Sequence, residues 1–424
     1  MDSKTPPRLQ SLNFSAIARS LLISGLAGGS AGVSVALFIS AMDWAVHLHQ
    51  AHPTLILALP ILGAALGFIA LYFGVRGKTE MSQISEKTRD PGDEEIKAPL
   101  PMSFAPWVFF SSVLTQIGGA SAGREGGALQ IAAATADQWT RIFRMSPSSR
   151  SLLLKAGVAG GFSAALGTPF AGSLFALEIH GGIHSTQCGL LRTWVNFGGV
   201  LISSWIAVSL RDLFHVPKID FPSFSGHALE FTSILSSFFA SVLIGITAAL
   251  LVRLFFFARG NLGVLLLKSS TSPIIRGAIG GSVLSILYFM GPFDAYRGLG
   301  IDGLEASFRE VPALGAPILK LLFTALALAA GFKGGEFIPL FFVGASAGSV
   351  IHGLGVTPFT GSSGMNVGDF AAIGCVSVFS GASRMPITCL VLGIELFGAE
   401  ISPMLLISLM LVHWLSGKKS IYST

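Results

Sequence analysis

Apolar segments fill this chain, and many of them are too short to cross a bilayer. Runs at about Ser103 to Gly118, Gly127 to Phe143, Ser151 to Gly167, Pro169 to Ile179, Ala316 to Gly331, Pro339 to His352, Val367 to Ser380, Pro386 to Phe397 and Ser402 to Leu415 fall below the roughly 20 residues that a spanning helix needs. A soluble domain is excluded all the same. Of the 424 residues, 51% are hydrophobic and only 12% are charged, and mean hydropathy is +0.70, far from a globular average. The fold class expected is an all-α polytopic membrane protein with discontinuous, half-length helices, because lipid tolerates open backbone only where protein or a water-filled path surrounds it.

Longer runs at Ala16 to Met42, Thr54 to Gly74, Leu190 to Leu210, Phe231 to Phe257 and Ile274 to Met290 supply the remaining helices. The first is too long for a cleaved signal and reads as a spanning helix, with a short link around His47 to Pro53 behind it. Arg76 to Lys97 carries eleven charges in 22 positions and is a solvated loop, since such charge density cannot enter hydrocarbon. The net charge of +5 comes mainly from Lys4, Arg8, Arg141, Arg144, Arg150, Arg253, Arg259, Lys418 and Lys419, read here as loop-end residues of a positive-inside topology with both termini in the cytoplasm. Cys188, Cys375 and Cys389 are too scattered for a disulfide framework or a zinc site and read as core fillers.

Gly118 to Gln130 sets Arg124 and Glu125 among glycines, between mostly apolar stretches at Ser103 to Ile117 and Ala128 to Ala136. A charge at membrane depth marks a functional site. A helix opening at about Gly126 would aim free N–H groups and its positive dipole end at the space beside Glu125, which makes an anion site with a titratable acid next to it. Adjacent residues on a helix point apart, so Arg124 is expected to satisfy loop carbonyls rather than to pair with Glu125.

An internal repeat supports two facing halves. Phe162, Ser163, Pro169 and Glu178 recur 217 positions later as Phe379, Ser380, Pro386 and Glu395, and Gly123 to Gly127 corresponds to Gly335 to Pro339 at an offset of 212. Glycine and proline interrupt the apolar runs at Gly167 to Pro169, Gly334 to Pro339 and Arg384 to Pro386, as inverted-repeat transporters do near the midplane. Glu178 and Glu395 occupy equivalent helix-end positions, which favours a scaffolding role, because a proton relay needs only one path.

At these residues the chain resembles the CLC family of chloride channels and anion/proton antiporters. Gly123 to Gly126 is similar to the start of the motif GREGP, Gly331 to Pro339 looks like GKxGGxFxP, and Gly417 to Ser423 resembles the C-terminal filter segment with its tyrosine. The resemblance covers most of the membrane domain. It implies a homodimer with one anion pathway per subunit that moves halide anions and protons across a lipid bilayer; no cofactor, metal or nucleic-acid partner is expected. A single transmembrane domain over 1–424 is expected, with halves at about 16–210 and 231–424 and no cytoplasmic CBS domain, in a prokaryotic plasma (inner) membrane. Glu125 would be the gating and proton-coupling acid. The anion ligands implied are Tyr422 through its O–H, the backbone amides of Gly126, Phe337 and Ile338, and either Thr79 or Met81, since Gly77 to Ile84 stands where relatives carry the serine motif GSGIP. Ile179 occupies the position of the inner proton-transfer glutamate of chloride antiporters. That loss, the altered serine segment and Glu336 look like the fluoride-transporting branch, whereas Gly127 and Ile338 are not the threonines expected there. A fluoride-capable exporter is therefore favoured over a chloride transporter.

Other readings stay open. Tyr422 beside Lys418 and Lys419 also suits an aromatic-belt anchor, and the same fold supports an uncoupled chloride channel. Gly119 to Gly123 and Gly344 to Gly348 both satisfy G-x-S-x-G, but a hydrolase elbow needs a preceding strand, an acid and a histidine, whereas small residues at helical spacing suit helix packing. His47, His49 and His52 lack a helical metal spacing, His180 and His184 have it only across two glycines, and no Walker lysine follows a glycine loop.

Overall fold

The computed structural model describes residues 14–72, 100–143, 145–179, 190–223, 231–355 and 365–422. Thr79, Met81, Cys188, His180, His184 and the charged loop lie outside them. Helices α1 (Phe14–Ala51), α2 (Leu59–Tyr72), α3 (Phe104–Ile117), α4 (Glu125–Phe143), α5 (Pro147–Leu166), α6 (Pro169–Glu178) and α7 (Leu190–Leu213) build the first half. The second half holds α8 (Phe231–Ser269), α9 (Pro273–Met290), α10 (Ile301–Ser307), α11 (Ala316–Ala330), α12 (Phe337–Gly353), α13 (Val367–Ser383), α14 (Pro386–Phe397) and α15 (Ser402–Leu415). Among the described residues, four helical stretches are long and apolar enough to cross a membrane, Ala18–Ala51, Pro53–Tyr72, Leu235–Ser269 and Pro273–Met290, and six apolar helical stretches are shorter.

Packing in the second half repeats that of the first. In one, α1 lies on α7 and α5, and α5 on α4, α6 and α7; in the other, α8 lies on α15 and α13, and α13 on α12, α14 and α15. The halves meet mainly through equivalent helices, α2 with α9, α6 with α14, and α4 with α12. Backbone details repeat as well. Gly167 at φ 81° ends α5, Arg384 at φ 65° ends α13, and proline then opens α6 and α14.

The α6–α14 contact makes the inversion explicit. The Glu178 carboxylate, at the end of α6, accepts from the N–H groups of Ile387 (3.3 Å) and Thr388 (2.7 Å) and from Thr388 Oγ1 (2.6 Å) at the start of α14. Glu395 of α14 accepts from Phe170 N (3.0 Å) and Ala171 N (2.7 Å) at the start of α6. Each glutamate caps the other half's helix, where a negative charge meets orphan N–H groups and the positive dipole end.

Close helix packing relies on small residues, which lipid-embedded interfaces need because their driving force is contact rather than hydrophobicity. A side chain on Gly344 would run into the Gly374 carbonyl of α13, and one on Gly348 into the Phe370 carbonyl. The second G-x-S-x-G is thus helix packing, with Ser346 Oγ donating to Phe342 O at 2.7 Å. The first is not. Gly119 has φ 74° and Gly119 to Gly123 is a loop, whose Ser121 Oγ pairs with Thr324 Oγ1 at 2.9 Å.

Some sequence expectations change. Helix α1 runs on to Ala51, so His47 and His49 are helical and the link shrinks to His52. His49 is buried, with its Nδ1 3.0 Å from Ile117 O and its Nε2 without a hydrogen bond. Arg253 and Arg259 sit on α8, which the apolar Leu262 to Leu267 stretch extends to Ser269. Arg150 is no loop charge either. It is buried on α5 in a bidentate pair with Asp137 of α4, at 2.8 and 3.0 Å, where burial is offset by fork geometry and by the Leu100 N–H donating to the same carboxylate at 2.7 Å.

Candidate functional site

Irregular backbone at membrane depth persists where its polar groups find partners, and several such pairings hold the segment before Glu125. Ala120 N donates to Thr115 O (3.2 Å), Gly298 N to Gly119 O (2.9 Å) and Gln116 Nε2 to Ala122 O (2.6 Å). Gly298 and Tyr296 are held in turn by the fully buried Lys320, whose Nζ donates to their carbonyls at 3.0 and 3.2 Å. The last pairing joins the halves. Gly123 and Gly335 exchange both backbone hydrogen bonds, at 2.6 and 2.8 Å, as an antiparallel bridge. A Cβ on Gly126 would come within 2.8 Å of Gly335 Cα, so only glycine allows this approach.

That bridge brings the N-termini of α4 and α12 together around one carboxylate. Glu125 is 1% exposed, and neither of its oxygens has a hydrogen-bond partner. The backbone amides that act on it are its own, that of Arg124 and that of Ile338, none in hydrogen-bonding geometry. Arg124 Nε lies 3.5 Å from Glu125 Oε1. The two side chains do not point apart as expected, because α4 begins at Glu125 and Arg124 precedes it in non-helical backbone. Nor does Arg124 Nε reach a loop carbonyl.

Phe337 and Ile338 are fully buried at the start of α12, with Glu336 at its N-cap. Glu336 forms an ion pair with Arg259 of α8 at 2.6 Å. The Phe337 ring is met edge-on by Phe162 of α5 at 5.8 Å and by Phe379 of α13 at 4.3 Å, the two phenylalanines of the repeat. Phe162 stacks on Phe175 of α6 (4.5 Å), and Phe175 meets the Tyr422 ring edge-on at 5.3 Å. A row of aromatic rings thus runs from Phe337 to Tyr422. The C-terminal segment that carries Tyr422 is tied to the end of α13, with Ile421 N donating to Ala382 O (2.9 Å) and Ser420 Oγ to Ser383 O (2.8 Å). Tyr422 is thus partly buried against the core through the Phe175 ring.

The structure therefore brings Glu125 and Gly126 beside Phe337 and Ile338 and links Tyr422 to Phe337 through the aromatic row, while Thr79 and Met81 lie outside the described residues. The Phe175 ring and the Arg259–Glu336 pair had no local sequence signal, since a phenylalanine in an apolar helix and an arginine on a long one resemble any other. Among the described residues no group of three or more His, Cys, Asp or Glu side chains could hold a metal. Ser121 and Ser346 engage a threonine and their own helix, which leaves the hydrolase reading without its base.

Comparison with known proteins follows this geometry. A "chloride/fluoride channel protein" of Pseudomonas syringae pv. tomato is 32% identical over 99% of this chain and 88% of its own length. An H+/Cl− exchange transporter of Vibrio campbellii is 25% identical over 87% of this chain and 78% of its length. The crystal structure of a CLC-type fluoride/proton antiporter superposes with a TM-score of 0.84 at 25% identity, covering 97% of this chain and 98% of that one. A cyanobacterial Cl−/H+ antiporter shares the fold, at a TM-score of 0.75 and 18% identity over 95% and 96% of the two chains. The family model described as "voltage gated chloride channel" matches residues 74–417, and with that match over most of its length the chain belongs to the voltage-gated chloride channel (CLC) family.

Proposed function

We propose that this chain is a proton-coupled halide antiporter of a bacterial plasma membrane, with Glu125 as the group that both fluxes share. The observation that carries the reading is the Glu125 carboxylate itself, fully buried without a hydrogen bond at the meeting of two helix N-termini and in ionic contact with Arg124 alone among the described side chains. Two helix ends offer a positive field and free N–H groups that suit any small anion. An ionised carboxylate fills that place and excludes a halide. Once protonated it loses the Coulomb attraction, swings away and yields the place, so one proton and one halide compete for the same location.

Tyr422 is the inner counterpart, its O–H a donor for an anion that has passed the Phe337 and Phe175 rings. Ring edges carry partial positive charge, so an aromatic row admits an anion without fixed cations that would trap it. Glu178 and Glu395 serve as structural caps rather than proton carriers, a reading supported by their engagement with opposite helix starts. Among halides we favour fluoride. Ile179 in place of an inner acid, Glu336 after two glycines, and the likeness to a fluoride/proton antiporter point the same way. A single domain with a two-fold repeat, functioning as a homodimer, completes the proposal. The name of the Pseudomonas relative favours one rival, an uncoupled channel, and proton uptake driven by a halide gradient in reconstituted vesicles separates the two.

A further inference from the structure

The corner between α13 and α14 carries an arginine where its counterpart in the first half carries a glycine. Gly167 takes φ 81° at the end of α5, and Arg384 takes φ 65° at the end of α13. The left-handed region disfavours any side chain, and among the described residues only His215 and Arg384, apart from glycines, have positive φ. Such a conformation persists where the surroundings over-determine it.

What holds Arg384 is the end of α15. Its Nη1 donates to His413 O and, at 3.3 Å, to Ser416 Oγ, while its Nη2 stands 3.2 Å from His413 Nε2. A guanidinium can only donate, so Nε2 accepts through its lone pair and the ring proton sits on Nδ1, which is buried without a hydrogen bond. The contact therefore requires a neutral imidazole. Helix α15 packs on α8, α13, α14 and the helical turn Ala399–Ile401. Of the charged and titratable groups on those elements, which include Arg253, Arg259, Cys389, Glu395 and Glu400, Arg384 alone acts on the ring, and Lys418 and Lys419 just beyond α15 are exposed.

The same corner carries the Tyr422 segment. Ala382 and Ser383, the two residues before Arg384, accept from Ile421 N and Ser420 Oγ, and Ser420 Oγ accepts from Tyr422 N at 3.2 Å. The chain from Ser416 to Tyr422 thus loops back over the corner, fixed by Arg384 where it leaves α15 and by Ala382 just before Tyr422.

We propose that Arg384 and His413 are positioning residues for Tyr422 and form a clamp that opens when His413 is protonated. The clamp rests on the reading of Tyr422 as the inner constriction and adds a pH response to it. A protonated ring presents Nε2–H where a lone pair stood, and it sets a second cation 3.2 Å from the guanidinium in a half-buried place. Arg384 then leaves His413 O and Ser416 Oγ, and the ties of the Tyr422 segment to Ala382 and Ser383 rest on a corner no longer held. Acid on this face of the membrane, in the range where histidine titrates, loosens the constriction and lets halide slip without its proton.

Two measurements test the clamp, the proton-to-halide flux ratio in vesicles and amide hydrogen exchange at Ile421 in detergent, each at about pH 7.5 and pH 5.5, on either side of the ordinary histidine pKa. In the unmodified protein the ratio should fall on acidification, and exchange, corrected for the intrinsic effect of pH, should speed up about tenfold, the worth of one hydrogen bond. His413→Gln keeps an acceptor for Arg384 without a titration and should show neither change. Arg384→Gly keeps the left-handed corner in the form the first half uses and removes the side chain. It should show the low ratio and the fast exchange at both pH values, which an arginine with no part in positioning Tyr422 would not produce. Absence of both changes in the unmodified protein, an acid response that survives in His413→Gln, or an Arg384→Gly protein with unmodified ratio and exchange overturns the proposal. Exchange that follows the prediction in a protein whose proton and halide fluxes are uncoupled would contradict the antiporter reading and leave the clamp standing.

Discussion

At the scale of single residues, the proposal rests on Glu125, because a carboxyl can carry a proton and, once ionised, imitate an anion. Glu125→Gln keeps the shape and removes the titration. Proton movement in vesicles should fall to the level of protein-free membranes, and any halide flux that remains should lose the pH dependence that Glu125 imposes. In the unmodified protein flux should fall as pH rises, since on this mechanism the ionised carboxylate blocks. Coupling that survived the substitution would remove Glu125 from the shared path. Tyr422 makes a different prediction. Its ring leans on Phe175 and its segment is anchored to α13 by backbone bonds, so Tyr422→Ala should leave the fold intact while opening one constriction for good. Fewer protons per halide, measured as the ratio of the two initial fluxes, is the expected result, and an unchanged ratio would return the tyrosine to an anchoring role.

At the scale of elements, the reciprocal caps of α6 and α14 are the feature with the clearest energetic consequence. Glu178→Gln and Glu395→Gln each replace an anion facing backbone donors with an amide that offers only one acceptor, at a cost of about 1–2 kcal/mol. Thermal unfolding in detergent should shift down by a similar amount for either variant, as the pseudo-symmetry demands, and a large shift for one alone would contradict the equivalence. How much of this was legible in the sequence depends on range. The repeat of Phe162, Ser163, Pro169 and Glu178 located α5, α6, α13 and α14 and marked the glutamates as scaffold, because proline, glycine and a lone acid in an apolar run are strong local signals. The exchange of caps between halves was not legible, since it joins residues over 200 positions apart. Nor were the ends of α1 and α8, where His47, Arg253 and Arg259 looked like link or loop residues although a helix longer than the bilayer carries them past the hydrocarbon or against a partner such as Glu336.

For the whole molecule, the proposed pathway lies where the two halves touch, and the Gly123–Gly335 bridge is one of those contacts. Selectivity among halides also belongs to this scale, because donors from both halves must together replace an ion's water. Fluoride holds its water more tightly than chloride and needs closer donors. At equal gradients fluoride flux should exceed chloride flux, and Met81→Ser or Thr79→Ala should alter the ratio; a strong preference for chloride would sink the fluoride assignment. The central claim, that halide and proton exchange through Glu125, is tested most directly by proton movement in vesicles loaded with halide and diluted into halide-free buffer at equal pH. Halide leaving alone would make the interior positive and push protons out. The account predicts proton uptake against that potential, lost in Glu125→Gln, whereas rapid halide loss without proton uptake would contradict it.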